Sequence, residues 1–248
     1  MSRSTWSDKK KLKIVHFGHK RMPSREGGVE IVVEELATRM AAMGHNVTVI
    51  NRRGHHVSGA EFDEERQTEY KGVRILSAPT IDKKGLAAVS SAFFATIKAS
   101  FGKYDIVHIH SDTAWKISVY YLAAKKAHIK KIVVHSHSSG INGHHHKINY
   151  LMHILAKPIV KSSKYKCACS DVAAQWMFDT TKGVTIIRNG VDIPKFSFNA
   201  TEREKIRESL GIENRIVIGS VSDFSYQKNP EFIFDLIKCF KNNDKYVF

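Results

Sequence analysis

The stretch "KIVHFGHKRMPSREGGVEIVVEELATRMAAMGHNVTVIN", residues 13–51, decides the fold class of this chain. It opens and closes with short, apolar, β-branched runs of the kind that form strands buried on both faces. Between them lies a helix-like segment whose apolar residues recur at helical spacing and which ends at a glycine. Those apolar residues are Val29, Val32, Val33, Leu36, Met40 and Met43, and the glycine is Gly44. Strand, turn, helix and strand make one βαβ unit, which predicts a parallel sheet.

The same pattern recurs along the chain. Further apolar runs span residues 73–78, 105–110, 131–137, 165–170, 184–189 and 215–222. Their repetition, with helix-like segments between them, predicts an α/β fold with a doubly wound parallel sheet of the Rossmann-like kind. We expect this first domain to span residues 1–190. Residues 191–248 then read as a linker and the beginning of a second, incomplete α/β domain.

The formal net charge of +15 predicts attraction to polyanions such as anionic lipids, phosphate-bearing substrates or nucleic acid. The segment 113–170 contains ten lysines and no Asp, Glu or Arg. Nucleic-acid binders usually add arginines that fork onto bases or phosphates, so we expect no nucleic-acid partner. Lysines alone fit a diffuse field towards a phosphate-rich surface, and a merely solvated basic face is the alternative.

The sequence also bears on localisation. No apolar run approaches the roughly 20 residues needed to span a bilayer, and the N-terminal residues lack the apolar region of a signal peptide. We therefore expect a cytoplasmic protein. The segment 147–166 has helical apolar spacing with lysines at its flanks. It fits either an ordinary surface helix or an interfacial helix at the inner face of an anionic cell membrane.

The first strand leads into a loop, residues 18–30, that is a candidate anion site. Gly27 and Gly28 allow backbone amides to approach a ligand closely, and the following helix start offers free N–H groups to a phosphate. Arg25 adds positive charge beside them. A tight turn that merely requires glycine is the alternative.

Two later strands end in "HIHSD" (108–112) and "HSHSSG" (135–140). In open α/β sheets, ligands bind beyond the carboxyl ends of the strands, so these histidines are candidate site residues. For His108 and His110 taken singly, the favoured alternative is a structural role, in which a histidine at a strand end hydrogen-bonds its neighbours. The longer stretch "HSHSSGINGHHH", residues 135–146, also raises the question of a zinc site. A catalytic zinc usually has carboxylates in its surroundings, and no Asp or Glu lies between Asp112 and Asp171. We therefore predict no metal site.

Six segments together resemble a known family. In chain order they are "REGGVEIVVEELATRMAAMGHNVTVIN", "DIVHIH", "VVHSHSSG", "CSDVAAQWMF", "IRNGVDIPKF" and "IGSVSDFSYQKNPEFIFDLI". They resemble the family 4 retaining glycosyltransferases of the two-domain GT-B type, in particular bacterial enzymes of capsular and exopolysaccharide biosynthesis. The resemblance implies transfer of a sugar from a nucleotide diphosphate sugar to a lipid-linked or saccharide acceptor, with no metal or other cofactor. It places the acceptor on the N-terminal domain and most of the donor on the C-terminal domain.

The resemblance also implies roles for single residues. His137 matches the histidine that contacts the transferred sugar, and His135 is the alternative. Gly27, Gly28 and Lys228 match residues beside the donor phosphates. The acceptor side is expected to include Arg25, His110, Ser138 and His144.

Two departures from the family pattern bear on activity. The pair that precedes Lys228, usually Gly-Arg, is here Ser222 and Asp223, and a carboxylate repels a diphosphate. The chain also stops before the region in which the family carries its paired acidic motif. We therefore expect a truncated donor domain and little or no transferase activity from this chain alone. The alternative function is a non-catalytic basic module that binds anionic membrane or polyprenyl phosphate.

Overall fold

The computed structural model describes residues 10–24, 27–53, 67–81, 87–141, 146–222, 224, 228–240 and 242–248. The chain divides into two compact units, Met1–Gly190 and Val191–Phe248. The strands of the first unit are β1 (Lys13–Phe17), β2 (Asn46–Arg52), β3 (Glu69–Tyr70), β4 (Val73–Ala78), β5 (Ile106–Ser111), β6 (Lys131–Ser136), β7 (Tyr165–Ala168) and β8 (Val184–Ile186). Its helices are α1 (Gly28–Ala42), α2 (Ala87–Phe101), α3 (Ala114–Lys126), α4 (His146–Lys161) and α5 (Asp171–Phe178).

One sheet organises the first unit. Its strand order is β3-β4-β2-β1-β5-β6-β7-β8, and every neighbouring pair is parallel except β3 with β4. From β1 the chain moves outward to β2 and β4 and then returns to β5 on the other side of β1. This is a doubly wound sheet, so the predicted fold class is confirmed. The switch point lies between β1 and β5, where sheets of this kind form a ligand crevice at the carboxyl ends of the strands.

Both faces of the sheet are buried. Val15, Phe17 and Ile109 belong to a large apolar cluster that includes residues of α2, α3, α4 and α5. Val33 of α1 and Val49 of β2 belong to a smaller cluster. Burial on both faces explains why the strands read as continuous apolar runs and do not alternate with polar residues.

The set of apolar residues predicted to lie on one face of α1 includes one residue beyond the end of the helix. Met43 is not part of the helix but its C-cap residue, and 57% of its surface is exposed. The chain leaves the helix at Gly44, where a φ of +90° favours glycine. The glycine was therefore a better guide to the end of the helix than the apolar spacing was.

The second unit contains α6 (Ile193–Phe196), α7 (Ala200–Leu210), β9 (Ile216–Val217), α8 (Pro230–Phe240) and β10 (Tyr246–Val247). Its two strands pair in parallel through two residues each. The strand expected over residues 215–222 is therefore much shorter in the structure. Within the described ranges of the whole chain, no helix combines the length and the apolar character needed to cross a membrane.

A buried histidine joins three helices of the first unit. His153 of α4 accepts a hydrogen bond at Nδ1 from the backbone N–H of Ala114 (3.0 Å), one of the free N–H groups at the start of α3. The opposite nitrogen lies 3.2 Å from the carbonyl oxygen of Trp176 in α5, so it carries the proton and donates. The ring stacks on the Trp176 indole at 4.0 Å. Burial lowers the pKa of His153, which keeps the ring neutral as these hydrogen bonds require.

We expect His153→Leu to destabilise the first unit by about 1–3 kcal/mol near pH 8, because two buried backbone groups lose their partner. The difference from wild type should shrink as the pH falls through about 6.5, the ordinary pKa of histidine. Below that pH the unfolded wild-type chain gains a proton at His153 that the folded chain does not, which favours unfolding. Urea denaturation followed by tryptophan fluorescence at about pH 8 and pH 5 measures both effects.

His128→Asn is the control for that experiment. His128 is exposed and has a φ of 56°, which asparagine tolerates well. This variant should match the wild-type urea midpoint at both pH values. A gap between wild type and His153→Leu that stays constant or widens on acidification would contradict the neutral, buried ring.

Candidate functional site

Five histidines form a continuous row near the carboxyl ends of β1, β5 and β6. Strand register places His16 beside His108, and His110 beside His135. Neighbouring ring centroids are 4.1 to 5.4 Å apart. We call this group the histidine row: His16, His108, His110, His135 and His137.

The rings of the histidine row are hydrogen-bonded to one another. His110 lies in the middle, with Nε2 3.1 Å from His16 Nδ1 and Nδ1 2.9 Å from His137 Nε2. A second contact joins His108 Nε2 and His135 Nδ1 at 3.2 Å. Each contact needs one N–H donor and one bare nitrogen acceptor, which neutral imidazoles supply and doubly protonated rings do not.

The electrostatics agree with neutral rings. Burial lowers the pKa of His16 to about 3 and that of His135 to about 2. It also holds the pKa values of His108 and His110 well below the ordinary value. Burial lowers the pKa of His137 to about 4, against the opposing influence of the nearby Glu30 carboxylate. At neutral pH the row therefore carries no charge and offers nitrogen lone pairs.

Of the two predicted catalytic histidines, only His137 is accessible to a ligand. His135 is fully buried, whereas His137 is partly exposed. The backbone N–H of His137 donates to the carbonyl oxygen of Ser111 (3.1 Å), which holds the residue directly after β6 at the edge of the sheet. His110 was expected on the acceptor side, but it is fully buried and reaches the surface only through its contact with His137.

The glycine loop lies at the start of α1. Gly27 is the N-cap residue of the helix and Gly28 its first residue. The buried carboxylate of Glu30 folds back over Gly27, where a Cβ would collide with it. Its other oxygen accepts a hydrogen bond from the backbone N–H of Lys20 (3.0 Å). The loop is thus closely packed, and the exposed Asn189 lies next to Gly28.

Asn51, at the end of β2, holds the loop that follows β1. Its side chain accepts a hydrogen bond from the Met22 backbone N–H (2.9 Å) and donates to the Met22 carbonyl oxygen (2.8 Å). Its Oδ1 also lies 3.1 Å from His19 Nε2, so that nitrogen carries the proton and donates. Asn51 was not among the predicted site residues, although a polar residue near the end of a buried strand in a doubly wound sheet is a usable signal.

The remaining predicted site residues are dispersed. Ser138 follows His137 in a tight turn, and its hydroxyl donates to the Gly140 carbonyl oxygen (2.7 Å). Lys228 is exposed and belongs to the second unit, two residues before α8. Arg25 and His144 lie outside the described residues.

Sequence reasoning missed one member of the histidine row, His16 of β1. His108, a predicted candidate, lies on the same face of β5 as His110, because residues two apart on a strand share a face. The signal was present as the alternation "HIH" in β5 and "HSH" at the end of β6. What the sequence could not show is the register that places β1 and β5 side by side.

The fold and the site define a class of protein: a doubly wound domain of the GT-B glycosyltransferase type, with polar side chains at the switch point. Residues 26–195 match Glycosyltransferase Family 4. The match covers more than half of the chain, and the chain belongs to this family. No curated protein sequence matches it.

Several solved structures share the fold at low sequence identity. Anabaena Alr3699/HepE in complex with UDP and glucose aligns with a TM-score of 0.65 and 17% identity, over 95% of this chain and 60% of that chain. The same Anabaena protein with UDP-glucose gives 0.60 and 14%, over 96% and 68%. An E. coli structure described as trehalose-6-phosphate bound with UDP-2-fluoro glucose gives 0.58 and 11%, over 94% and 63%. The chain thus spans about 60% of the first of these proteins.

The site depends on a close approach between β1 and β5. Gly18, directly after β1, has a φ of +103°, and a Cβ there would collide with the carbonyl oxygen of His110. Gly44 has a similar φ of +90° but open space around it. Gly44→Ala should therefore cost only the backbone strain, about 1–2 kcal/mol. Gly18→Ala should cost about 1–3 kcal/mol more, because the strand ends must move apart.

Urea unfolding of Gly18→Ala and Gly44→Ala, followed by tryptophan fluorescence, measures both losses of stability. The difference between them is the cost of the collision with His110, since both variants carry the backbone strain. Trp115 and Trp176 both belong to the first unit and report its unfolding. Equal losses of stability for Gly18→Ala and Gly44→Ala would show that the contact with His110 is not tight.

Proposed function

We propose that this chain carries the acceptor-side domain of a retaining glycosyltransferase whose donor is a nucleotide diphosphate sugar, and that the chain by itself has little or no transferase activity. The observation that carries the proposal is the partly exposed, neutral His137 at the switch point of a family 4 domain. Solved structures that share the fold contain UDP, glucose, UDP-glucose or UDP-2-fluoro glucose, which supports a nucleotide sugar as the ligand class. The acceptor that we propose is a lipid-linked or saccharide hydroxyl in capsule or exopolysaccharide synthesis.

The proposed chemistry divides between sugar and phosphate. A neutral imidazole at His137 can donate or accept a hydrogen bond at a sugar hydroxyl and adds no charge to the site. As the glycosidic bond breaks, the leaving diphosphate gains negative charge that needs positive charge or N–H donors. We propose the backbone N–H groups at the helix start, at Gly27 and Gly28, as donors to this charge. Lys228 stays a prediction of the family resemblance. In this scheme the transfer needs no metal.

The buried members of the histidine row act on His137 in this proposal. His110 contacts no solvent, but its Nδ1 lies 2.9 Å from His137 Nε2. It therefore sets the orientation and the tautomer of the His137 ring. We propose His110 as a positioning residue and not as a contact of the acceptor.

Titration calorimetry with UDP-glucose and other nucleotide sugars tests the donor class. We expect the wild-type chain to bind at least one of them weakly and to form little or no product. His137→Ala should weaken that binding at least about tenfold, which corresponds to about 1.4 kcal/mol for a lost hydrogen bond in a partly buried site. If product forms, nuclear magnetic resonance of the anomeric proton should show retained configuration.

His128→Asn serves as the matched control for binding. This exposed residue precedes β6 and so lies at the opposite edge of the sheet from His137. It should bind nucleotide sugars like wild type. Absence of binding to every nucleotide sugar, unchanged affinity in His137→Ala, or an inverted product would each count against the proposal.

A second candidate function, a module that binds anionic membrane, is favoured by the surface of α4. Five large apolar side chains of this helix are 39–69% exposed. They are Ile148, Leu151, Met152, Ile154 and Leu155. The helix lies within the lysine-rich, acid-free segment 113–170. An apolar helix face in a positive field is suited to the surface of an anionic bilayer.

Two of the lysines of α4 contribute less to that field than the sequence implies. Lys157 and Lys161 both pair with the carboxylate of Asp179, at 2.6 and 3.2 Å. Their charge is therefore partly compensated within the fold. The apolar face is the better target for a test.

We expect Leu151→Ser/Leu155→Ser to reduce binding to vesicles that contain phosphatidylglycerol, because both leucines would enter the interface. Sedimentation with these vesicles, and with vesicles of phosphatidylcholine alone, measures the effect. Leu122→Ser/Leu210→Ser replaces two exposed leucines outside α4 and should bind like wild type. Equal binding of the two double variants would argue against α4 as the membrane surface.

A further inference from the structure

The histidine row contains a group of nitrogens suited to a metal ion. One ring nitrogen from each of His110, His135 and His137 lies within 4.8 Å of the other two. His110 Nδ1 and His137 Nε2 face each other at 2.9 Å. His135 Nε2 has no hydrogen-bond partner among the described residues, although its ring is fully buried. A buried polar nitrogen without a partner costs free energy, and a bound cation would remove that cost.

The opposite nitrogens of two of these rings are already held. His110 Nε2 lies 3.1 Å from His16 Nδ1, and His135 Nδ1 lies 3.2 Å from His108 Nε2. Histidines that ligate metals usually donate their second N–H to an outer partner, which fixes the tautomer and the ring orientation. With protons on His110 Nε2 and His135 Nδ1, lone pairs remain on His110 Nδ1 and His135 Nε2. His16 and His108 are then the outer partners.

The charges around the group favour a cation. In the contact between His110 Nδ1 and His137 Nε2 the proton lies on His137 Nε2, so metal binding requires the neutral His137 ring to carry its proton on Nδ1 instead. The buried carboxylate of Glu30 interacts favourably with positive charge at His137, and so does the half-exposed carboxylate of Asp112, which also pairs with Lys116 at 2.9 Å. These two acidic groups come from α1 and from the end of β5. The absence of acids from 113 to 170 therefore does not leave the site without carboxylates.

A second group of three histidines is less suitable. One nitrogen from each of His16, His108 and His110 also lies within 4.8 Å of the others. His16 Nε2 in this group also has no hydrogen-bond partner among the described residues, but all three rings are buried and none of them opens to solvent. The group that ends in the partly exposed His137 has access from the edge of the sheet.

We propose that His110, His135 and His137 bind a zinc ion, with a fourth coordination position open towards the crevice at the switch point. Three imidazole ligands and one open position are a common arrangement for zinc. The inference does not rest on the proposed transferase function, since zinc binding requires no nucleotide sugar. The two proposals share His137: its Nε2 would bind the metal, and its Nδ1 is the nitrogen left for a sugar hydroxyl.

The test uses the chain without a polyhistidine tag, freed of metals by a chelator. Titration with Co²⁺, which absorbs visible light when bound in tetrahedral geometry, should show one ion per chain, and Zn²⁺ should displace it. His137→Asn should weaken cobalt and zinc binding at least about 100-fold, since it removes a direct ligand. Zinc should raise the urea midpoint of wild type and leave that of His137→Asn unchanged.

Two further variants keep the result interpretable. His145→Asn/His146→Asn breaks the run of three consecutive histidines and should bind cobalt like wild type. His137→Cys should retain cobalt binding and add a thiolate-to-cobalt charge-transfer band in the near ultraviolet, which also covers the case in which His137→Asn fails to fold. The proposal is overturned by failure of wild type to bind one Co²⁺ or Zn²⁺. Loss of binding in His145→Asn/His146→Asn, or a cysteine variant without the new band, would overturn it equally.

Discussion

The parallel pairing of β1 with β5 is the constraint on which the site depends. Four residue pairs join the two strands, among them Val15 with Val107 and His16 with His108. The valines face the large apolar core, and the histidines face the other side of the sheet, because alternate residues of a strand point to opposite faces. The same hydrogen-bond ladder thus stabilises the centre of the fold and aligns the histidine row.

The hydrogen bonds within a row of buried imidazoles form only while each donor N–H faces a nitrogen lone pair on the next ring. Burial penalises charge, so the rings stay neutral, and each contact then combines one N–H with one lone pair. His110 shows the consequence, because its two nitrogens connect the fully buried His16 with the partly exposed His137. The orientation and the tautomer of the partly exposed His137 ring are therefore set by buried groups.

The sequence predicted the centre of the sheet well because β1, β2, β5 and β6 are apolar runs that reflect burial on both faces. It missed β3, whose two residues carry too little pattern to be recognised. Candidate site residues were found by their position at strand ends, as with His137 and the glycines before α1. Residues such as Asn51 were overlooked because their role depends on hydrogen bonds to a loop that is distant in sequence. Lysines 157 and 161 read as free charges, since only the fold brings Asp179 to them.

The sequence by itself determined the α/β class, the order of most strands and helices, and the family. These depend on local periodicity and on motifs, which are properties of short segments. Only the tertiary structure decided which histidine rings are in contact and which of them is exposed to solvent. It also decided which ring nitrogens, His135 Nε2 among them, have no hydrogen-bond partner among the described residues. The physical reason is that register between strands and burial are set by packing between segments far apart in the chain. His16 and His110 are 94 residues apart in sequence, yet His16 Nδ1 lies 3.1 Å from His110 Nε2 in the fold.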